Sequence, residues 1–97
     1  MKRLYVIISK ELEPVYACVQ GGHAVAQYLI DHPSGRTWNN DYLIYCYADV
    51  DKWMRKLSRK GYDFSMFREP DLDNKLTAIA VQDNDGKIFK NLPLIRC

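Results

Sequence analysis

The sequence predicts a single α/β domain over residues 1–97, a four-stranded mixed β-sheet with helices packed on it in the order β-α-β-α-β-β. Two observations carry that prediction. Four strand-sized runs rich in β-branched and aromatic residues recur along the chain, with helical apolar spacing in two of the gaps between them. No repeat, linker or low-complexity segment divides the 97 residues, and a composition 47% apolar and 12% aromatic supports a modest core without metal or disulfide staples.

Residues 3–9 (RLYVIIS) form the first strand, and Glu11-Leu12-Glu13-Pro14 breaks it before a helix over about 14–31. His32-Pro33-Ser34-Gly35 ends that helix, and a polar loop at 36–41 leads into residues 41–48 (DYLIYCYA), the second strand. Asp49 is placed to cap a helix over about 50–60, which Gly61 stops. Residues 62–67 (YDFSMF) read as the third strand, 68–76 (REPDLDNKL) as a loop and 77–83 (TAIAVQD) as the fourth strand. Asn84-Asp85-Gly86 then turns the chain into a tail, IFKNLPLI, whose Phe89, Leu92 and Leu94 are expected to dock on the core. Strands separated by a helix can run parallel through right-handed crossovers, which makes the sheet mixed.

The longest apolar runs are strand-sized, and MKR leads straight into a strand rather than into a signal-peptide core, so a cytoplasmic chain with no membrane partner is expected. Cys18, Cys46 and Cys97 are odd in number and widely spaced, which suggests reduced thiols rather than a disulfide framework or a zinc ligand set. No metal and no cofactor are expected. A net charge of +2 is too small to argue for nucleic-acid binding, so such an argument must rest on clustering. One cluster exists. Lys52, Arg55, Lys56, Arg59 and Lys60 share one face of the second helix while Trp53, Met54 and Leu57 share another, and the cations could meet phosphates or simply be solvated. Trp38, with Arg36, Asn39 and Asn40, has the chemistry either to stack a base or to anchor its loop.

The first helix carries the main candidate site. At 100° per residue, Tyr16, Gln20, His23 and Gln27 fall within about 60° of one another, with Cys18, Val25 and Leu29 on the opposite side. Ala17, Val19, Ala24, Ala26 and Ile30 flank this polar stripe, so the helix reads as wedged into protein with a narrow slot of hydrogen-bonding groups. Such a slot suits a polar ligand, or it satisfies groups within the core. Gly21-Gly22 costs about 0.8–1 kcal/mol per glycine inside a helix, which close approach of another backbone would explain.

The order of elements, the Gln-x-x-His-Ala of the first helix (Gln20, His23, Ala24) and the Thr-Ala-Ile-Ala-Val of the last strand (Thr77 to Val81) resemble the type II, archaeal and eukaryotic, family of peptidyl-tRNA hydrolases. The similarity extends to its divergent small-domain branch through Phe67, Glu69, Pro70 and Thr77, and it covers about residues 3 to 95. It implies cleavage of the ester joining a peptide to tRNA, at a site built from Gln20, His23 and Thr77 with no metal. Gln20 and Thr77 would orient the ester carbonyl or a water, and an uncharged His23 or a loop carboxylate would take that water's proton.

Three departures from the family pattern stand out. Tyr16 occupies the place of a lysine, and a phenol can replace its charge only by donating one hydrogen bond. The expected glycine- and lysine-rich loop is the short acidic Glu11–Pro14, with Lys10 as the nearest cation. Glu69, or in reserve Asp71, stands for the family's loop aspartate. The partners expected are tRNA or peptidyl-tRNA, with a homodimer as candidate assembly. A non-catalytic RNA- or protein-binding module on the same fold is the alternative.

Overall fold

β-Branched and aromatic residues put Arg3–Ser9 into strand β1, and six of its seven residues are buried, as suits a strand covered on both faces. The computed structural model describes residues 2–33 and 38–95. After β1 come α1 (Pro14–Asp31), β2 (Tyr42–Ala48), α2 (Val50–Arg59), β3 (Phe64–Glu69) and β4 (Lys75–Asp83). The sheet runs β2-β1-β4-β3, with β1 parallel to β2 and β4 antiparallel to both of its neighbours. The fold is the expected α/β layer structure with a mixed four-stranded sheet. Of the expected boundary loops, residues 34–37, including Ser34, Gly35 and Arg36, lie outside the described residues.

Both helix starts follow their capping chemistry. The Glu13 carboxylate accepts from the backbone N–H of Val15 (3.2 Å) and Tyr16 (2.7 Å), with Pro14 occupying the first helical position, where its missing N–H costs nothing. Asp49 accepts from Lys52 N–H at 3.2 Å. At the end of α2, Gly61 takes a left-handed φ of 77°, its N–H bonds to the Ser58 carbonyl, and Tyr62 N–H reaches back to the Leu57 carbonyl at 3.0 Å. That closure holds Tyr62 at the helix end. It moves the third strand from the expected 62–67 to Phe64–Glu69.

The segment expected as a loop at 68–76 is also tighter. Glu69 pairs with Lys75 at the end of the β3–β4 ladder, a bulge lies between Phe67 and Arg68, and Pro70–Leu72 makes one 3₁₀ turn. Asp73 and Asn74, at φ 54° and 60°, reverse the chain into β4.

Alternation along the strands sends side chains to two cores. Leu4, Val6, Ile8, Ala78 and Ala80 face α1, whereas Ile7, Ile79 and Val81 face α2 together with Trp53, Leu57 and Phe89. The two helices therefore lie on opposite faces of the sheet. In the tail, Phe89 is buried and Leu92 partly so, but Leu94 is 68% exposed. The tail pairs with the outer edge of β2 through Tyr47 N–H to the Pro93 carbonyl and Ile95 N–H to the Tyr45 carbonyl, both 2.9 Å, so Ile95 takes the buried position on the α1 side.

The cysteine expectation is corrected, and the two readings of Trp38 are separated. Cys18 is disulfide-bonded, so the thiols are not all reduced; Cys46 is free and buried, and burial pushes its thiol up to about 12. Trp38 is buried in the α1-side core and anchors its loop rather than offering a ring to a base. Among the described residues no helix is long and apolar enough to cross a membrane.

Candidate functional site

α1 lies mainly over β3 and β4, with less contact to β1. Its polar stripe consequently meets the end of β3 and the start of β4, where Glu69 and Thr77 stand. Gln20 is fully buried between them. Its Nε2 donates to Glu69 Oε1 at 2.7 Å, and its Oε1 accepts from the Thr77 hydroxyl at 2.5 Å. The Thr77 hydroxyl also lies 3.4 Å from the Phe67 carbonyl. Each member of this chain has the donor or acceptor that its neighbour lacks, which makes three buried polar groups tolerable in the core.

Glu69 is the hub. Its Oε2 accepts from Asp71 N–H at 3.2 Å, and the Tyr16 phenol lies near the same carboxylate. The Gln20 bond, followed by the Asp71 bond, the nearby His23 and the Tyr16 phenol, holds the Glu69 carboxyl below its ordinary value against the opposing effect of burial. Tyr16 is shifted the other way, raised by desolvation and then by the charges of Glu69 and Asp71. A carboxylate so fully bonded is an anchored anion and has little capacity left to accept a proton.

His23 is exposed at its edges, but its ring is fixed in place, stacked on Phe67 at 4.4 Å between centroids and 9° from parallel. Within the group it is the exposed side chain, with ring nitrogens that can give or take a hydrogen bond. Glu69 beside it is the charge that would stabilise an imidazolium. The site thus brings together Tyr16, Gln20, His23, Glu69 and Thr77, and the Gln20 and Thr77 side chains, at 0% exposure, hold Glu69 rather than face a guest. Gln27 belongs elsewhere, donating to Asp31 at 2.9 Å. Phe67 as the platform for His23 was not anticipated; its place two residues before Glu69 on one strand was the available signal.

Other expectations separate from this site. Lys10 lines a different cavity, of about 210 Å³, with Glu11, Asp49, Asp51 and Lys75, and Lys75 is itself paired to Glu11 at 2.9 Å. Asp71 contributes its N–H and its charge, leaving Glu69 as the bonded carboxylate. The α2 cations Lys52, Arg55, Lys56, Arg59 and Lys60 lie across the sheet from α1; among the described residues none forms an ion pair, and Lys56 Nζ sits 4.4 Å over the Trp53 ring. Gly21 is explained by a side chain rather than a backbone, because a Cβ there would lie 2.5 Å from the Tyr45 ring and 2.9 Å from Ile8 Cδ1. Gly22 faces open space. No group of three or more His, Cys, Asp or Glu side chains converges to hold a metal among the described residues.

The fold and site define an α/β domain with a buried Thr77–Gln20–Glu69 hydrogen-bond chain under a helix that also carries the exposed His23. No protein-family model matches the sequence, and no curated protein does either. Among solved structures the chain is similar to a protein of unknown function from Agrobacterium tumefaciens strain C58, with a TM-score of 0.69 and 12% identity over 96% of each chain. That likeness shows the fold.

Proposed function

We propose that this domain is a peptidyl-tRNA hydrolase-type carboxylic ester hydrolase in which His23 is the acid–base residue. The observation that carries the reading is the Thr77–Gln20–Glu69 chain, which anchors a carboxylate beside an exposed imidazole held on Phe67. In the reaction His23 takes a proton from a water as its oxygen attacks the ester carbonyl, and Glu69 stabilises the resulting imidazolium. The tetrahedral intermediate then collapses, the carbon–oxygen bond to the ribose breaks, and His23 returns the proton to the leaving hydroxyl. Gln20 and Thr77 are positioning residues in this scheme. The α2 cations would hold phosphates on the opposite face, so a bound tRNA must reach round the sheet edge.

A second reading, a non-catalytic RNA-binding module, is favoured by Tyr16 in place of a lysine and by the burial of Gln20 and Thr77. The two separate in single-turnover release of tRNA from peptidyl-tRNA. Wild type should cleave above background and His23→Ala should lose on the order of 10²-fold or more. Absence of turnover together with retained RNA binding, weakened and less salt-dependent in a Lys56→Ala/Arg59→Ala chain, would select the module.

A further inference from the structure

β4 runs antiparallel to both of its neighbours, so β1, β2 and β3 point the same way and their carboxyl ends share one edge of the sheet with the start of β4. From the adjacent β1 and β2 the chain leaves for opposite faces, α1 packing on one side and α2 on the other. Helices that depart to opposite sides open a crevice between the two strand ends, the place where open α/β sheets take ligands. The cavity of about 210 Å³ that Lys10 lines lies in this crevice, with Ser9 ending β1 on one wall and Asp49 following β2 on the other.

The lining carries donors and both signs of charge. Ser9 is 5% exposed and its Oγ accepts from the Glu11 N–H at 3.4 Å, but among the described residues no acceptor takes its hydroxyl proton. A buried donor left over at a cavity wall calls for a polar guest. Asp49 spends its side chain on Lys52 N–H and its carbonyl on Trp53 N–H, which leaves the Val50 and Asp51 N–H groups of the first turn without a helical partner. Lys10 adds an ammonium, and Glu11 and Asp51 add carboxylates. Lys75 bridges the two signs: its ammonium is bonded to Glu11 at 2.9 Å and also feels the charge of Asp51. Both members of that ion pair are more than half exposed, so it contributes little and opens to a guest at small cost.

We propose that this crevice is a binding site for a small zwitterion, a free α-amino acid. Its carboxylate takes the Ser9 hydroxyl, a first-turn N–H of α2 and Lys10, and its ammonium takes Asp51 and Glu11. The balance of the lining selects this class. Glu11, Asp49 and Asp51 outnumber Lys10 and Lys75, so a phosphate would meet more repulsion than attraction. A bare metal ion lacks a ligand set, because no three His, Cys, Asp or Glu side chains converge to hold one among the described residues. A guest of either single sign would leave charges of the lining facing their like, whereas a zwitterion answers both. The cavity is smaller than the about 300–1,000 Å³ of drug-sized pockets, so its guest is a small molecule. Gln20, His23, Glu69 and Thr77 do not line it, and the proposal stands independently of the ester-hydrolase reading.

Titration of the isotope-labelled chain with glycine and with L-alanine, followed by backbone amide shifts, tests the site. The amides of Ser9, Lys10, Val50 and Asp51 should move and saturate below about 10 mM amino acid. Acetate and methylammonium, which carry one of the two charges each, should bind about tenfold or more weakly than glycine. Lys10→Gln and Asp51→Asn alter exposed side chains and leave the core untouched, and each should weaken glycine binding about tenfold by deleting one charge-assisted contact. Absence of saturable shifts with either amino acid, acetate or methylammonium binding as tightly as glycine, displacement of glycine by inorganic phosphate, or wild-type affinity in either variant would overturn the proposal.

Discussion

Thr77 and Gln20, separated by most of the chain, meet as hydroxyl donor and amide oxygen acceptor with neither side chain exposed. Replacing Thr77 by valine keeps the shape and deletes the donor, leaving the Gln20 oxygen buried without its strongest partner. Urea denaturation should register a loss of about 1–3 kcal/mol. A neutral result would mean that the Gln20 amide turns or finds water.

Glu69 sets an acid-side prediction. Its carboxyl is lowered in the folded chain, so its contribution to stability is present above the ordinary value of 4.5 and is lost as pH falls through the folded-state value. Glu69→Gln should therefore melt below wild type at neutral pH, and the gap should narrow as both are acidified. Parallel melting curves down to acid pH would contradict the assigned role.

His32 predicts the reverse sign. Its Nδ1 lies 2.9 Å from the Tyr28 carbonyl and its Nε2 2.9 Å from Asp63, so both partners are acceptors and both ring nitrogens must donate. Burial pulls the imidazole down, but the Tyr28 bond and Asp63 outweigh it and hold it above 6.5. The stabilisation is full below 6.5 and is lost as pH rises through the folded-state value. Asp63→Asn should be less stable than wild type in mildly acidic buffer and approach it in alkali, read as melting temperature against pH. A pH-independent difference would rule out the doubly protonated ring.

Gly21 and Gly22 are neighbours with opposite expectations. Gly21→Ala drives a methyl into the Tyr45 ring and Ile8 and should destabilise by about 1–3 kcal/mol. Gly22→Ala meets nothing and should stabilise by up to about 1 kcal/mol through helix propensity. Equal effects in denaturant titrations would show that the Tyr45 contact carries no weight.

Tyr16→Lys tests whether a missing cation limits ester cleavage. The Tyr16 phenol lies near the Glu69 carboxylate, and a lysine there would be drawn into an ion pair with it rather than left to meet a developing oxyanion. Single-turnover release of tRNA should rise less than tenfold, equivalent to about 1.4 kcal/mol of transition-state stabilisation. A larger gain would place the new ammonium on the substrate.

Periodicity made much of this legible. Helical spacing grouped Tyr16, Gln20 and His23, and the likeness to a known order of motifs paired them with Glu69 and Thr77. Spacing specifies which residues share a face but not what covers that face, and for this reason the exposure of Val15, Val19 and Ile30 was invisible. The start of β3 was misjudged because Tyr62 looks like a strand residue, while its N–H is committed to Leu57 across the end of α2. Alternation alone could not place Leu94 and Ile95, whose orientation comes from pairing with β2. Nor could cysteine spacing reveal the bond at Cys18.

The register of β1 against β4, with Arg3 opposite Asp83 and Ile8 opposite Ala78, bears on how the chain folds as it is synthesised. β1 precedes the other three strands in the chain and its antiparallel partner β4 follows them, so until β4 is made β1 can pair only with β2. Until β4 emerges, one long edge of an apolar strand stays open and the Gln20 amide has neither Thr77 nor a settled Glu69 to bond. A sheet dominated by such distant pairing closes slowly. The nascent chain therefore spends that interval with its most aggregation-prone edge exposed to chaperones and to other nascent chains.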